Sequence, residues 1–133
     1  MEYTDPEPNG LARVIGGLIE ANLDAYPERQ RFLRPAVIGI RATDAEVGIT
    51  IRLAPDVVMV ANGAPERADV LVETDSETLT ELASVPLRAG MPDAFTTEGR
   101  AMLGKLRSGK LKVKGLVRHA GVVARLNRLL TVA

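Results

Sequence analysis

Apolar and polar residues alternate strictly in a short segment near the C-terminal end of the chain, residues 109–115. In an extended chain, Leu111 and Val113 point to one side. The lysines of the segment point to the other side: Lys110, Lys112 and Lys114. Glycines at both ends favour turns there. The pattern therefore predicts a strand with one apolar side and one basic side.

A helical repeat follows this strand and extends to Leu130. Apolar residues at helical spacing share one face: Val122, Val123, Leu126, Leu129 and Leu130. Basic residues lie on a flank beside and behind that face: Arg118, Arg125 and Arg128. We therefore expect an amphipathic helix that packs its apolar face inward and keeps a basic side outside.

The first half of the chain predicts one helix and then four strands. The helix covers residues 11–25 and contains Gly16 and Gly17, which cost about 1 kcal/mol each relative to alanine. Close packing of another element is one explanation for them, and a plain weak point is the other. The strand-like segments follow with short connections: 36–41, 47–53, 57–61 and 68–73. Connections this short predict an antiparallel meander.

Two further helices separate the meander from the basic strand. The first covers residues 76–83, with Thr74 and Glu77 at the spacing of a capping box. The second begins with Asp93 as a candidate cap and is expected to bend near Gly99. Hairpins followed by helices are typical of an α+β domain. We expect a mostly antiparallel, five-stranded sheet with the helices packed on one face.

Length and composition agree with a single domain. The chain has 133 residues, and we predict a flexible acidic lead-in over residues 1–10 and one domain over residues 11–133. The chain has no cysteine, which excludes disulfides and thiolate metal sites. It contains no apolar run of about 18 residues and no segment typical of a signal peptide. A cytoplasmic protein is therefore the expectation.

Charge is distributed unevenly along the chain, although the formal net charge is zero. Residues 99–133 contain nine Lys and Arg residues and no Asp or Glu. Residues 1–98 contain the other eight basic residues and all 17 acidic ones. Such asymmetry can attract the basic part to a negative surface, or the two parts of the chain to each other. Both interpretations stay open at this point.

Candidate catalytic and metal-binding residues are few. Residues 99–106 resemble a phosphate loop, but Leu106 stands where a Ser or Thr would hold magnesium, and no strand precedes the first glycine. His119 is the one histidine, and its own segment contains no carboxylate. A surface or capping role is the simpler interpretation, with a general base as the alternative. We therefore predict no metal site, no cofactor and no catalysis.

The basic strand allows three interpretations of its lysines. They can contact nucleic acid phosphates, they can mark a sheet edge that resists aggregation, or they can attract anionic lipid headgroups. Two Tyr, two Phe and no Trp leave no stacking platform for single strands. We therefore expect no nucleic acid partner, whereas a transient contact with an anionic membrane stays open.

The C-terminal half resembles the sterol carrier protein family, the non-specific lipid-transfer domain. The resemblance rests on a turn at Gly90, a helix with Phe95, the strand 109–115 and the amphipathic helix that ends with 126–130, in this order. It extends weakly over the meander and covers residues 10–130. Leu116 departs from the family, which often has Asp or Asn after the closing glycine. This departure leaves the fold unaffected and puts the ligand identity in doubt.

The resemblance implies a five-stranded sheet covered on one face by helices, with an apolar tunnel between them. Relatives bind fatty acids, acyl-CoA or sterols there, and some domains of this shape are appendages without transfer activity. The candidate ligand-binding residues are those predicted to point inward from strands and helices. The strand residues are Ile38, Ile40, Ile49, Ile51, Val58, Val60, Leu111 and Val113. The helix residues are Phe95, Met102, Leu106, Val123, Leu126 and Leu130.

These side chains either fill a core or enclose a gap, and the sequence alone leaves both open. An empty cavity of ~300 Å³ would cost roughly 7 kcal/mol at ~24 cal/mol per Å³, close to the whole stability of a domain. We favour a carrier or sensor of a fatty acid, fatty acyl-CoA or sterol-like lipid, as a monomer or homodimer. One alternative is a protein-interaction or regulatory module that keeps the fold without lipid transfer. Another is an enzyme that uses His119 with an acidic partner.

Overall fold

The computed structural model describes residues 1–82, the backbone of 87–88, and residues 90–131. Its helices are α1 (Gly10–Ala25), α2 (Ser76–Leu82), α3 (Thr97–Ser108) and α4 (Ala120–Leu130), with a 3₁₀ helix at Pro27–Phe32. Its longer strands are β2 (Ala36–Ala42), β3 (Val47–Ala54), β4 (Val57–Asn62) and β5 (Val70–Thr74). Its short strands are β1 (Glu2–Tyr3), β6 (Leu87–Arg88), β7 (Met91–Pro92) and β8 (Lys112–Lys114).

Within the described part of the chain, six strands form one mixed sheet in the order β1-β4-β3-β2-β5-β8. The α+β class is as predicted, but the sheet has six strands rather than five. The meander prediction holds for β2, β3 and β4, which pair antiparallel. It is wrong for β5, which crosses the sheet and pairs in parallel with β2. Strand β8 is an edge strand, antiparallel to β5.

The crossover to β5 is fixed by Asp69. Its backbone N–H donates to the Val37 carbonyl, and its carboxylate accepts from the Val37 N–H, both over 2.8 Å. These two bonds begin the parallel ladder one residue before β5. The connection from Asn62 to Asp69 therefore carries the chain from β4 to the far side of β2. A tight hairpin would instead have paired β5 with β4.

The first ten residues are tied to the sheet, which corrects the expectation of a flexible lead-in. Strand β1 pairs in parallel with β4, and the Asp5 carboxylate accepts from the Asn62 N–H over 2.7 Å. The Asn9 side chain then caps α1 by accepting from the Ala12 N–H over 2.8 Å. Tyr3 lies against Gly16, where an added Cβ would meet the phenolic oxygen at 2.8 Å. Close packing thus accounts for this glycine, whereas Gly17 faces open space.

The helices cover one face of the sheet, as predicted. Rows of paired residues point toward them, for example Ile38, Ile51 and Val60 across β2, β3 and β4. Each of these three side chains is at most 1 % exposed. Helix α1 packs on β3, β4 and α4, and the buried Asn22 amide donates to the Leu129 carbonyl over 2.9 Å. The β3–β4 half of the sheet is therefore a closed core.

Helix α2 begins at Ser76 as predicted but has a different cap, whereas α3 begins later than the sequence pattern predicts. The Asp75 carboxylate, not Thr74, accepts from the first turn of α2, at the Thr78 N–H over 2.7 Å. Helix α3 begins after the cap Thr96, which accepts from the Gly99 N–H over 3.0 Å. It runs through Gly99 to Ser108 as one unbroken helix. The predicted last residue of α2, Ala83, lies outside the described residues.

A candidate ligand cavity

A cavity of about 310 Å³ lies between the β5–β8 side of the sheet and helices α2, α3 and α4. Its floor is one row of paired residues, Ile40, Val72 and Val113, across β2, β5 and β8. Leu111 continues that floor just before β8. The helices and β7 form the remaining walls. The gap thus opens where β8 extends the sheet beyond the part that α1 covers.

Eight of the candidate ligand-binding residues line this cavity. From the sheet side these are Ile40, Leu111 and Val113. From the helices these are Met102, Leu106, Val123, Leu126 and Leu130. The apolar side of the basic strand and the apolar face of the C-terminal helix therefore border the same space.

Five other candidates lie in the closed core and do not border the cavity among the described residues: Ile38, Ile49, Ile51, Val58 and Val60. Four of them lie on β3 and β4, against which α1 packs, and Ile38 on the adjacent β2 pairs with Ile51. Alternation predicted the correct face for these side chains, but it carries no information on which part of that face is filled. The prediction that they line the ligand space is therefore wrong for this structure.

The prediction that Phe95 points inward is also wrong, because its side chain is 75 % exposed. The Asp93 carboxylate accepts from the Phe95 N–H over 2.9 Å, which makes a turn at the position where the sequence pattern predicts a helix start. Helix α3 therefore begins two residues after Phe95. Its ring consequently lies outside the apolar face of that helix.

The cavity has further lining residues that the candidate set omits. Leu79 and Leu82 of α2 stand three residues apart, which is a helical spacing that the sequence does show. Asn127 lies between Val123 and Leu130 at spacings of four and three on the cavity face of α4. Met91 and Pro92 of β7 also border the space. Their two-residue strand has no periodicity that could have identified them.

Strand β7 reaches the cavity because its turn docks on α4. The Asn127 side chain donates to the Gly90 carbonyl over 2.9 Å. Gly90 has a φ of 82°, and a Cβ added there would lie 2.5 Å from the Ala124 Cβ. Only glycine combines this backbone conformation with such a close approach. The glycine that helped to suggest the family resemblance thus holds one wall in place.

Electrostatic contacts fasten the two helices at the cavity edge. The Lys105 ammonium donates to Glu81 over 2.7 Å and to the buried Thr78 hydroxyl over 3.0 Å. The hydrogen bond to Glu81 is the main cause that raises the pKa of Lys105. The lysine of the phosphate-loop-like segment is thus engaged between helices, and the segment itself is helical.

The basic residues predicted to face an anionic surface lie in separate environments. Lys110, Lys112 and Lys114 are exposed at the β8 edge, and Lys114 pairs with Glu73 over 3.1 Å. Hydrogen bonding to Lys114 is the main cause that lowers the pKa of the Glu73 carboxyl. Arg118 is exposed in the turn before α4. The lysine-marked sheet edge is thus the arrangement found.

Two of the arginines are engaged with the protein itself. The Arg125 guanidinium donates to the Arg34 carbonyl over 3.0 Å, and burial lowers its pKa. The Arg128 guanidinium lies 5.2 Å from the Phe32 ring centre, within range of a cation–π contact. The basic residues around α4 therefore do not form one continuous exposed side. Contact with an anionic membrane stays a prediction for the exposed ones.

His119 lies at the N-cap position of α4, but its side chain makes no capping hydrogen bond. Its carbonyl accepts from the Val122 N–H over 3.0 Å, while its own N–H donates to the Gly115 carbonyl over 2.7 Å. Within the residues that the structure describes, no group of three His, Asp or Glu side chains could hold a metal ion. A helix able to cross a membrane is likewise absent from the described residues.

Of three comparisons with known proteins, the search of solved structures found a match, and that match shows the fold alone. A scan against protein-family models found no match, and neither did a search of curated proteins. Among solved structures, "UbiJ-SCP2 Ubiquinone synthesis protein" superimposes with a TM-score of 0.61 over 90 % of this chain and 92 % of that one, at 20 % sequence identity. The chain therefore has the fold of the sterol carrier proteins that its sequence resembles.

Proposed function

We propose that this protein binds a small apolar ligand in the cavity between β5, β8 and helices α2, α3 and α4. The expected ligand is a fatty acid, a fatty acyl-CoA or a sterol-like lipid, and the protein acts as its carrier or sensor. The single observation that supports this proposal is a space of about 310 Å³ lined almost wholly by apolar side chains. That volume lies at the lower end for ligand sites, which span about 300–1,000 Å³.

The cost of leaving this space empty supports the same proposal. At ~24 cal/mol per Å³, a closed and dry cavity of this size costs roughly 7 kcal/mol, which is an upper limit for a space that opens to solvent and compares with about 5–15 kcal/mol for a whole domain. A ligand that fills the space restores the missing contacts and stabilises the folded state by mass action. We therefore expect the protein to be marginally stable when empty and markedly more stable when occupied.

The lining also indicates how the ligand is selected. Asn127 is the one polar side chain among the described residues that border the cavity, and charged side chains are absent from that lining. Shape and apolar area therefore decide affinity, and the protein performs no chemistry on what it carries. Since the fold neighbour is named a ubiquinone synthesis protein, an isoprenoid quinone belongs in the panel of test ligands.

Native mass spectrometry of the purified protein, followed by organic extraction, tests the proposal. We expect a lipid-sized adduct and a melting temperature that falls when the lipid is removed. Val123→Phe should occupy part of the cavity, reduce the amount of adduct and raise the melting temperature of the empty protein. Val117→Phe is the matched control, because Val117 is 98 % exposed. A clean empty mass, with no melting shift for any ligand of the panel, would instead favour the interaction module.

A further inference from the structure

A second apolar depression lies beside the cavity, between α1, α2 and the turn from β2 to β3. We refer to it as the α1 groove. Its volume is about 780 Å³, and four of the residues that line it are small: Gly17 and Ala21 on α1, and Ala42 and Ala45 opposite. Charged side chains are absent from the described residues that line it. The groove therefore offers apolar surface without a site for a charged headgroup.

Leu79 separates the groove from the cavity. It borders both spaces, and no other described residue does so. Ile40 in the cavity and Ala42 in the groove lie two residues apart on the same face of β2, which corresponds to about 6.6 Å along a strand. The two spaces thus follow one another along β2, and Leu79 is the described side chain that lines both.

The helix that carries Leu79 is held at several points. The Asp44 carboxylate accepts from the Ser76 N–H over 3.0 Å and from its hydroxyl over 2.9 Å. Lys105 holds Thr78 from the other side, as described above. Rotation of the Leu79 side chain between staggered conformers is therefore a smaller change than displacement of α2.

We infer that Leu79 is a side-chain gate, and that the ligand is a flexible, unbranched acyl chain that extends from the cavity past Leu79 into the α1 groove. This inference rests on the proposed function and specifies its ligand class. A flexible chain can bend through an opening made by one leucine, whereas a rigid fused-ring sterol cannot. The cavity holds one part of a long chain, and the groove holds the remainder.

Gly17→Leu tests the inference, with Gly104→Leu as its matched control. Both glycines are exposed within helices, and a Cβ added to either meets nothing within 4 Å. Both changes replace a poor helix former by a good one, so both variants should fold. Gly17 borders the groove, whereas Gly104 borders neither space. Binding of octanoate and palmitate is measured by displacement of a fluorescent fatty acid.

We expect Gly17→Leu to weaken palmitate binding by about tenfold or more, which corresponds to about two methylene groups returned to water. Octanoate binding should stay unchanged, and Gly104→Leu should leave both affinities unchanged. If octanoate and palmitate bind but Gly17→Leu leaves palmitate unaffected, the gate is wrong while the proposed function stands. If a sterol binds and neither fatty acid does, the gate is overturned and an apolar-ligand function remains. If no apolar ligand binds, both fail.

Discussion

The Lys105 ammonium and the Glu81 carboxylate lie 2.7 Å apart and join α3 to α2 at the edge of the cavity. The same ammonium bonds the Thr78 hydroxyl, and the Thr78 side chain is fully buried. Lys105→Met keeps most of the aliphatic stem but removes the donor from both contacts. We expect a lower melting temperature, faster hydrogen exchange in α2 and faster ligand release. Lys110→Met, at an exposed lysine, should change none of these.

The pH dependence of this contact follows from the raised pKa of Lys105. A raised pKa in the folded state means that the contribution is fully present at neutral pH. It is lost as pH rises through the folded-state pKa, above the ordinary value of 10.5. Urea unfolding should therefore show the wild type and Lys105→Met converging in strongly alkaline buffer. A constant difference up to that range would contradict a role for the ammonium charge.

Gly99 has no room for a side chain, because an added Cβ would collide with the Asp93 carbonyl oxygen. We expect Gly99→Ala to destabilise the protein by about 1–3 kcal/mol, the usual cost of overpacking, despite the better helix propensity of alanine. Gly104→Ala in the same helix faces open space and should stabilise it by up to ~1 kcal/mol. Chemical denaturation measures both. Equal effects of the two changes would show that the turn before α3 can shift.

Glu73 connects three strands, since it lies 3.1 Å from Lys114 on β8 and 3.5 Å from Arg41 on β2. Its lowered pKa means that its stabilisation is present above the ordinary value of 4.5 and is lost as pH falls through the folded-state pKa. Glu73→Gln should cost at most about 1 kcal/mol at pH 7, because the Lys114 side chain is 69 % exposed. The deficit should disappear as the pH is lowered below 4.5, and its persistence in acid would contradict the ion pairs.

The sequence predicted the side of the sheet on which a residue lies more reliably than it predicted which helices pack against that residue. Alternation placed Ile38 and Val113 on the same inner face, and both do point toward the helices. It could not show that the space above Ile38 is filled while a gap remains above Val113, because that depends on how distant helices pack. The parallel pairing of β5 was equally hidden, since it begins with two bonds between Asp69 and Val37.

Short elements account for most of the remaining differences. Strand β1 has two residues, too few for any periodicity, and the acidic, proline-rich composition around it favoured a loose segment. The Asp93 carboxylate accepts from the Phe95 N–H, so α3 begins after Phe95 and the Phe95 side chain is exposed. Leu79 and Leu82, in contrast, stand at helical spacing on α2. Their spacing therefore places both leucines on the inner face of α2, as it does for the apolar residues of α3 and α4.

Contact with an anionic membrane depends on the exposed basic residues at the β8 edge and before α4. We expect Lys110→Glu, Lys112→Glu and Arg118→Glu together to reduce flotation with phosphatidylglycerol vesicles, because each basic residue near such a surface contributes about 1 kcal/mol. The combined control is Arg52→Glu, Arg67→Glu and Arg100→Glu, which makes the same charge change at exposed positions elsewhere. Equal loss in both variants would indicate a net-charge effect without a defined surface.

Leu106 projects from α3 into the cavity lining, so a charge at this position tests the placement of the ligand directly. Leu106→Asp would put a carboxylate against an apolar wall and should cost ~3 kcal/mol or more. Ala101→Asp, on an exposed position of the same helix, should cost far less. Lipid uptake should be lost in the first variant and kept in the second, as measured by the mass of bound ligand. Where Leu106→Asp fails to fold, Leu106→Ala keeps the test, because it enlarges the cavity without a charge. If Leu106→Asp folds and carries the same lipid as the wild type, the ligand lies elsewhere.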